Sequence, residues 1–180
     1  MLEIVIPESE FFDESAEQFI NIPQKTLKLE HSLVAISKWE AEWEKPFLSK
    51  EKKTNTELIS YIRCMTITQN VDPVVYLGLT REHIKQINDY IDRPMTATTF
   101  TEVNDGKKSN EVVTSEIIYY WMISYKIPLE FHKWHINRLL TLIKIFNIKN
   151  APQKKMAKND ILRRNRELNR KRREQLRSAG

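Results

Sequence analysis

A chain of 180 residues, 41% apolar and 29% charged, with a mean hydropathy of −0.53, suffices for one compact domain with an appendage and excludes a wholly disordered protein. Its single cysteine, Cys64, cannot form an intramolecular bridge, which suits a reducing compartment. The net charge of +5 is divided unevenly: residues 151–180 hold 11 Lys/Arg against Asp160, Glu167 and Glu174, a local +8, while the remaining 150 residues carry −3.

Glycine occurs only at 78, 106 and 180, so no glycine-rich phosphate loop can form. Apolar runs such as Ile117–Ile123 fall far short of the roughly 20 residues that span a bilayer. The opening Met1–Pro7 has no basic region and turns acidic at Glu8, so no signal peptide is expected.

Alternation in Leu2–Ile6 and in Gln18–Ile22 predicts two strands of a hairpin around an acidic turn, Glu8 to Glu17, with Thr26–Glu30 as a candidate third. Ser32 is placed to cap a helix to about Glu44, with Leu33, Ile36, Trp39 and Trp43 on one face and Pro46 beyond its end. After a charged linker, Ser49 to Asn55, either Asn55 or Thr56 caps a second helix carrying Leu58, Ile59, Ile62 and Met65. Asp72 and Pro73 read as cap and first residue of a short helix ending near Gly78. Thr80 opens another, with Ile84, Ile87 and Ile91 along one side until Pro94.

Between Met95 and Glu116 the Thr-rich stretch and the Asn104–Lys107 turn signal predict a second hairpin or ordered loop. Thr114 or Ser115 begins an apolar helix through Tyr125, and Pro128 starts the next, Leu129 to about Asn147. The two form an αα-hairpin joined by a very short turn. Lys149–Lys155 reads as a linker, and Asn159 or Asp160 starts a last helix whose large apolar residues are Ile161, Leu162, Leu168 and Leu176. The expected fold class is α+β and mostly α-helical. It comprises an N-terminal β-hairpin and a helical core with an αα-hairpin in a single globular domain, residues 1–150, then a basic helical tail, 151–180.

Residues with chemistry of their own give no signature of catalysis. His132 and His135, three apart, could share a metal with Cys64 or Glu116, but lack the glutamate arrangement or paired cysteines of zinc sites, so an interhelical hydrogen-bonding role is expected instead. No nucleophile elbow accompanies Cys64 or any serine. Glu40 and Glu44 are expected on a solvated helix face. Trp39, Trp43, Trp121 and Trp134 with Tyr119 and Tyr120 could stack bases, though their helical spacing reads first as core. The tail residues Arg163, Arg164, Arg166, Arg170, Lys171, Arg172, Arg173 and Arg177 form the strongest electrostatic feature, suited to phosphate or to an acidic protein. The expectation is a protein with no catalytic, cofactor or metal residues.

Several segments carry a family resemblance: Leu29–Leu33 running to Trp39–Glu40, Lys45–Leu48, Tyr61–Thr66, Ile117–Met122, Trp134–Ile143 and Arg164–Asn169. Together, from about residue 2 to 170, they resemble a family of tailed bacteriophages and prophages of Gram-positive bacteria described as tail assembly chaperones. The resemblance implies a non-enzymatic, mostly helical protein of the host bacterial cytoplasm. It would coat the tape measure protein and recruit tail tube protein during virion morphogenesis, then leave the finished tail. It leaves a homo-oligomer open, needs no membrane, and departs from the acidic character of many such chaperones in its +8 tail. A chaperone of a helical client needs exposed apolar anchors, for which Trp39, Trp43, Tyr120 and Trp134 are the candidates. The alternative is a nucleic-acid-associated or structural virion (head–tail) protein acting through the basic tail.

Overall fold

Two prolines shape the beginning of the chain. In the computed structural model, which describes residues 1–13, 17–100, 112–150 and 158–176, strands β1 (Leu2–Ile6) and β4 (Lys25–Leu29) pair antiparallel, and so do β2 (Ser9–Asp13) and β3 (Gln18–Ile22). The register runs from Leu2↔Leu29 to Ile6↔Lys25 and resumes from Ser9↔Ile22 to Asp13↔Gln18, skipping two residues on each side. Those skipped are Pro7–Glu8 and Pro23–Gln24. Proline has no N–H to give a ladder, so one long hairpin becomes two short ones in series. The expected partner of β1 was β3, around an acidic turn. Half of that turn, Ser9–Asp13, is instead strand β2, which takes β3 and leaves β1 to β4.

Ile4, Ile6, Leu27 and Leu29 point inward from the outer pair, and full burial of each is worth roughly 1.5–3 kcal/mol. Ile22 points inward from the inner pair, so the alternation shifts by one across the proline break. Ile6 and Ile22 converge on Gly78, the last residue of a 3-10 helix (Pro73–Gly78) begun by Asp72, whose carboxylate accepts from Val74 N at 3.0 Å. A Cβ at Gly78 would lie 2.6 Å from Ile6 Cγ2 and 3.2 Å from Ile22 Cγ2. Gly78→Ala is therefore expected to cost about 1–3 kcal/mol through overpacking, read as a lower urea midpoint. An unchanged midpoint would mean that the hairpin shifts freely over the helix.

Helix α1 (Leu33–Trp43) keeps its expected face: Leu33, Ile36 and Trp39 are buried, Ser32 Oγ accepts from Ala35 N at 3.3 Å, and Glu44 ends the helix in the left-handed region at φ 53°. Helix α2 (Asn55–Met65) starts one or two residues earlier than the expected caps Asn55 or Thr56 would place it. Its cap is Thr54, in a reciprocal box where Thr54 Oγ1 accepts from Glu57 N and Glu57 Oε2 from Thr54 N at 2.7 Å. Indole donors lock the two helices, Trp39 Nε1 to Glu57 O at 2.9 Å and Trp43 Nε1 to Ser60 Oγ at 3.0 Å. Beyond α2, Glu30 N donates to Met65 O and Ile67 N to Lys28 O, extending the β4 edge. Helix α3 (Arg81–Ile91), capped by Thr80, buries Ile87 and Tyr90.

The αα-hairpin differs from expectation. Helix α4 (Ser115–Ser124) is present, but the following segment is a 3-10 helix (Leu129–Lys133), a break at Trp134 and His135, and then helix α5 (Ile136–Asn150). The break has a tertiary cause. His135 pairs antiparallel with Ser32, Ile136 N donates to His31 O at 2.7 Å, and His135 O accepts from Leu139 N at 3.2 Å, so His135 is the entry to α5. Its Nδ1 also accepts from Asn137 N at 3.3 Å.

Around this junction lies a buried aromatic cluster. His31 and His135 stand edge to face at 5.0 Å, His31 Nδ1 meets the Tyr61 hydroxyl at 2.5 Å, and Tyr90 O is 3.1 Å from His135 Nε2. Burial, helped by His135, pushes the His31 pKa down to about 3, and burial lowers that of His135 as well.

The described residues fall into two compact units, Met1–Phe146 and Asn147–Gly180. The second contains helix α6 (Lys158–Leu176). The second hairpin expected near Asn104–Lys107, most of the expected linker, and Arg177 lie outside the described residues.

Candidate partner-binding surfaces

The four aromatic anchors expected from the sequence have different fates. Trp39 is 1% exposed and offers nothing to a partner; its ring stacks on Trp43 at 6.2 Å and packs edge to face on Phe47 at 5.2 Å. Trp43 is half-buried and committed to Ser60. Trp134 is half-buried between Phe131, stacked at 3.8 Å, and the Arg138 guanidinium, 4.0 Å from its ring centre. Tyr120 alone is well exposed, at 67%, and Ile123, three residues on, is 68% exposed on the same face of α4. A helix that is apolar all round and yet open along one side is a natural contact surface.

A further exposed aromatic surface lies on the inner hairpin. Phe12 and Phe19 oppose each other across β2 and β3 with ring centroids 5.0 Å apart, on the face opposite Ile22. They are 46% and 71% exposed. Phe11, on the other face, is also exposed. Residues 7–24 contain Glu8, Glu10, Asp13, Glu14 and Glu17 and no Lys or Arg. The aromatic pair therefore sits in an acidic segment. The pattern of the sequence predicts a strand for Phe19 but a turn for Phe11 and Phe12, so the pairing of Phe12 with Phe19 is not expected from it. The adjacent Phe11 and Phe12 within an otherwise acidic stretch are its available signal.

The basic helix α6 exposes Arg166, Arg170, Lys171, Arg172 and Arg173, with Leu162 and Leu168 also exposed. Arg163 and Arg164 fall within the same helix.

Other candidates dissolve or change role. His132 and His135 do not share a helix turn: His132 packs edge to face on Tyr119 at 6.2 Å and His135 belongs to the His31 cluster. Among the described residues no three His, Cys, Asp or Glu side chains are grouped to hold a metal ion. No described helix is long and apolar enough to cross a membrane. Glu40, expected on a solvated face, is only 8% exposed. Its Oε1 accepts from Phe47 N at 2.8 Å and its Oε2 from Ser115 N at 2.7 Å, tying the α1 exit to the α4 start. Glu57 is likewise recruited: the Lys45 ammonium at 2.7 Å and the Thr54 N–H hold its carboxyl well below the usual range.

Comparison of the chain with protein-family models, with curated proteins and with solved structures finds no match.

Proposed function

We propose that this protein is a non-enzymatic morphogenesis factor of tailed bacteriophages, a tail assembly chaperone that holds the tape measure protein and tail tube subunits by protein–protein contact in the host cytoplasm. The observation that best supports this reading is the Phe12–Phe19 pair, an exposed apolar patch on a two-stranded arm. Tyr120 and Ile123 on α4 supply a second anchor of the same kind. A helical client presents leucine-rich faces, and such faces bind to exposed aromatic side chains on a preformed scaffold.

The test is a nuclease-treated pull-down of the tagged full-length protein from induced cells. The wild type is expected to recover a very long, helix-rich phage protein. Phe12→Ser/Phe19→Ser is expected to recover at least tenfold less of it while the protein stays folded, its unfolding free energy lower by about 1–2 kcal/mol for the lost cross-strand ring pair. Equal recovery by the double variant would remove the arm from the binding surface.

The second reading, nucleic-acid binding through α6, rests on its exposed arginines. It predicts that Arg166→Glu/Arg172→Glu/Arg173→Glu abolishes binding to duplex DNA and that wild-type affinity falls steeply with salt. The chaperone reading predicts that the same triple variant still brings down its client. Loss of both DNA and client would favour the second reading.

A further inference from the structure

Helix α1 has a second side that is only partly covered: Ala35 is buried, Val34 is half-buried and Lys38 is exposed. Val34, Ala35 and Lys38 look away from the Leu33–Ile36–Trp39 stripe into a hollow of about 400 Å³, closed on its other sides by the end of α2 and by the 3-10 helix Leu129–Lys133. An adjoining hollow of about 320 Å³ shares Lys38, Cys64 and Thr66 as walls, so the two form one trough. The floor of the larger hollow is apolar, with Ala35 and Met65 buried beneath Val34 and Ile67.

The rim carries the opposite chemistry. Lys38 and Lys133 both line the larger hollow, and neither has an ion-pair partner among the described residues. The one carboxylate in its wall, Glu30, is already engaged: its Oε1 accepts from the Tyr90 hydroxyl at 2.6 Å and its Oε2 lies 3.0 Å from the Met1 ammonium. The adjoining hollow adds Arg63 and Glu42, whose Oε2 accepts from Ser60 Oγ at 2.8 Å. The larger hollow thus keeps two exposed ammonium groups, without an ion-pair partner among the described residues, beside an apolar lining, in a volume within the range of small-molecule sites.

We propose that this trough is a binding site for a small organic anion with an apolar body, its charge held between Lys38 and Lys133 and its body seated on Val34 and Ile67. Two ammonium groups favour a carboxylate or sulfonate without fixing its geometry, since lysine is a flexible point charge. The site is separate from the phenylalanine arm and does not depend on the chaperone reading.

The test titrates the full-length protein with 8-anilino-1-naphthalenesulfonate and with its uncharged counterpart, N-phenyl-1-naphthylamine. Phe12→Ser/Phe19→Ser serves as background for dye on the arm. One saturable sulfonate site is expected on this background. Lys38→Glu/Lys133→Glu is expected to weaken it at least tenfold and to change binding of the uncharged dye less than twofold. Cys64→Phe, which fills the wall shared by the two hollows, is expected to abolish both. Sulfonate affinity unchanged by the charge reversals, or an equal loss for the uncharged dye, overturns the proposal. Should Cys64→Phe fail to fold, the charge-reversal pair, which alters only exposed side chains, still decides.

Discussion

Replacing Glu40 by glutamine is expected to destabilise the protein by about 3 kcal/mol. The carboxylate is buried, and each oxygen accepts one backbone N–H, from Phe47 and from Ser115. Ser115 opens α4, and the side chain of the cap residue Thr114 makes no capping hydrogen bond to a helix backbone N–H. Glu40 therefore caps α4 from another helix, 75 residues away in sequence, and its negative charge meets the positive end of the helix dipole. Glutamine keeps the shape but turns an NH₂ group toward one of the two donors. One buried N–H then loses its acceptor, and the other loses a charged one. On the scaling for chains of this size, 3 kcal/mol lowers the melting temperature by about 6–12 °C. Glu40→Ala, which orphans both donors and leaves a void, should lose more. A Gln variant within 1 kcal/mol of wild type would mean that water or a local shift replaces the carboxylate.

Acid is expected to act through His31. Its imidazole has an ordinary value of 6.5 when the chain is unfolded and about 3 when folded, so between these values the unfolded chain holds a proton that the folded one does not. Stability is thus complete above 6.5, falls with each unit of acidification below it, and has lost the whole contribution near pH 3. The slope approaches 1.4 kcal/mol per pH unit, giving on the order of 5 kcal/mol across the window. His135, lowered by the same burial, adds to the loss in the same direction. The Glu57 carboxylate, whose folded value is depressed, joins in only below its unfolded value of 4.5. Urea unfolding at pH 7, 6, 5 and 4.5 measures the slope. His31→Gln keeps a polar partner for the Tyr61 hydroxyl and removes the proton, so its slope should fall by about one proton between pH 6 and 4.5. An unaltered slope would place the acid sensitivity elsewhere.

Both residues show where sequence reading stops. His31 looked like part of a family pattern and Glu40 like one of many exposed acids, because the groups that give them their roles lie far along the chain. The Tyr61 hydroxyl and the His135 ring surround one, and the Phe47 and Ser115 amides hold the other. The same holds for the break at Trp134. Periodicity carried the helix through it, whereas a ladder contact to Ser32 and the His31 carbonyl made extended backbone the better state there.

Local chemistry was enough for the helices whose ends carry their own signals. Ser32, Asp72–Pro73 and Thr80 cap what they were expected to cap, and the three-and-four spacing of Leu33, Ile36 and Trp39 names the buried face of α1. The α+β, mostly helical class was legible for the same reason. Strand pairing was not, because alternation marks a strand and its faces but carries no information about its neighbour. The two prolines and the sheet register made that choice. Which aromatic residues face water was equally beyond local pattern. Trp39 and Tyr120 are both large aromatic residues on helices, and only packing of the remaining chain leaves one at 1% and the other at 67% exposure. Spacing along a helix defines a face, and the tertiary structure determines whether anything covers it.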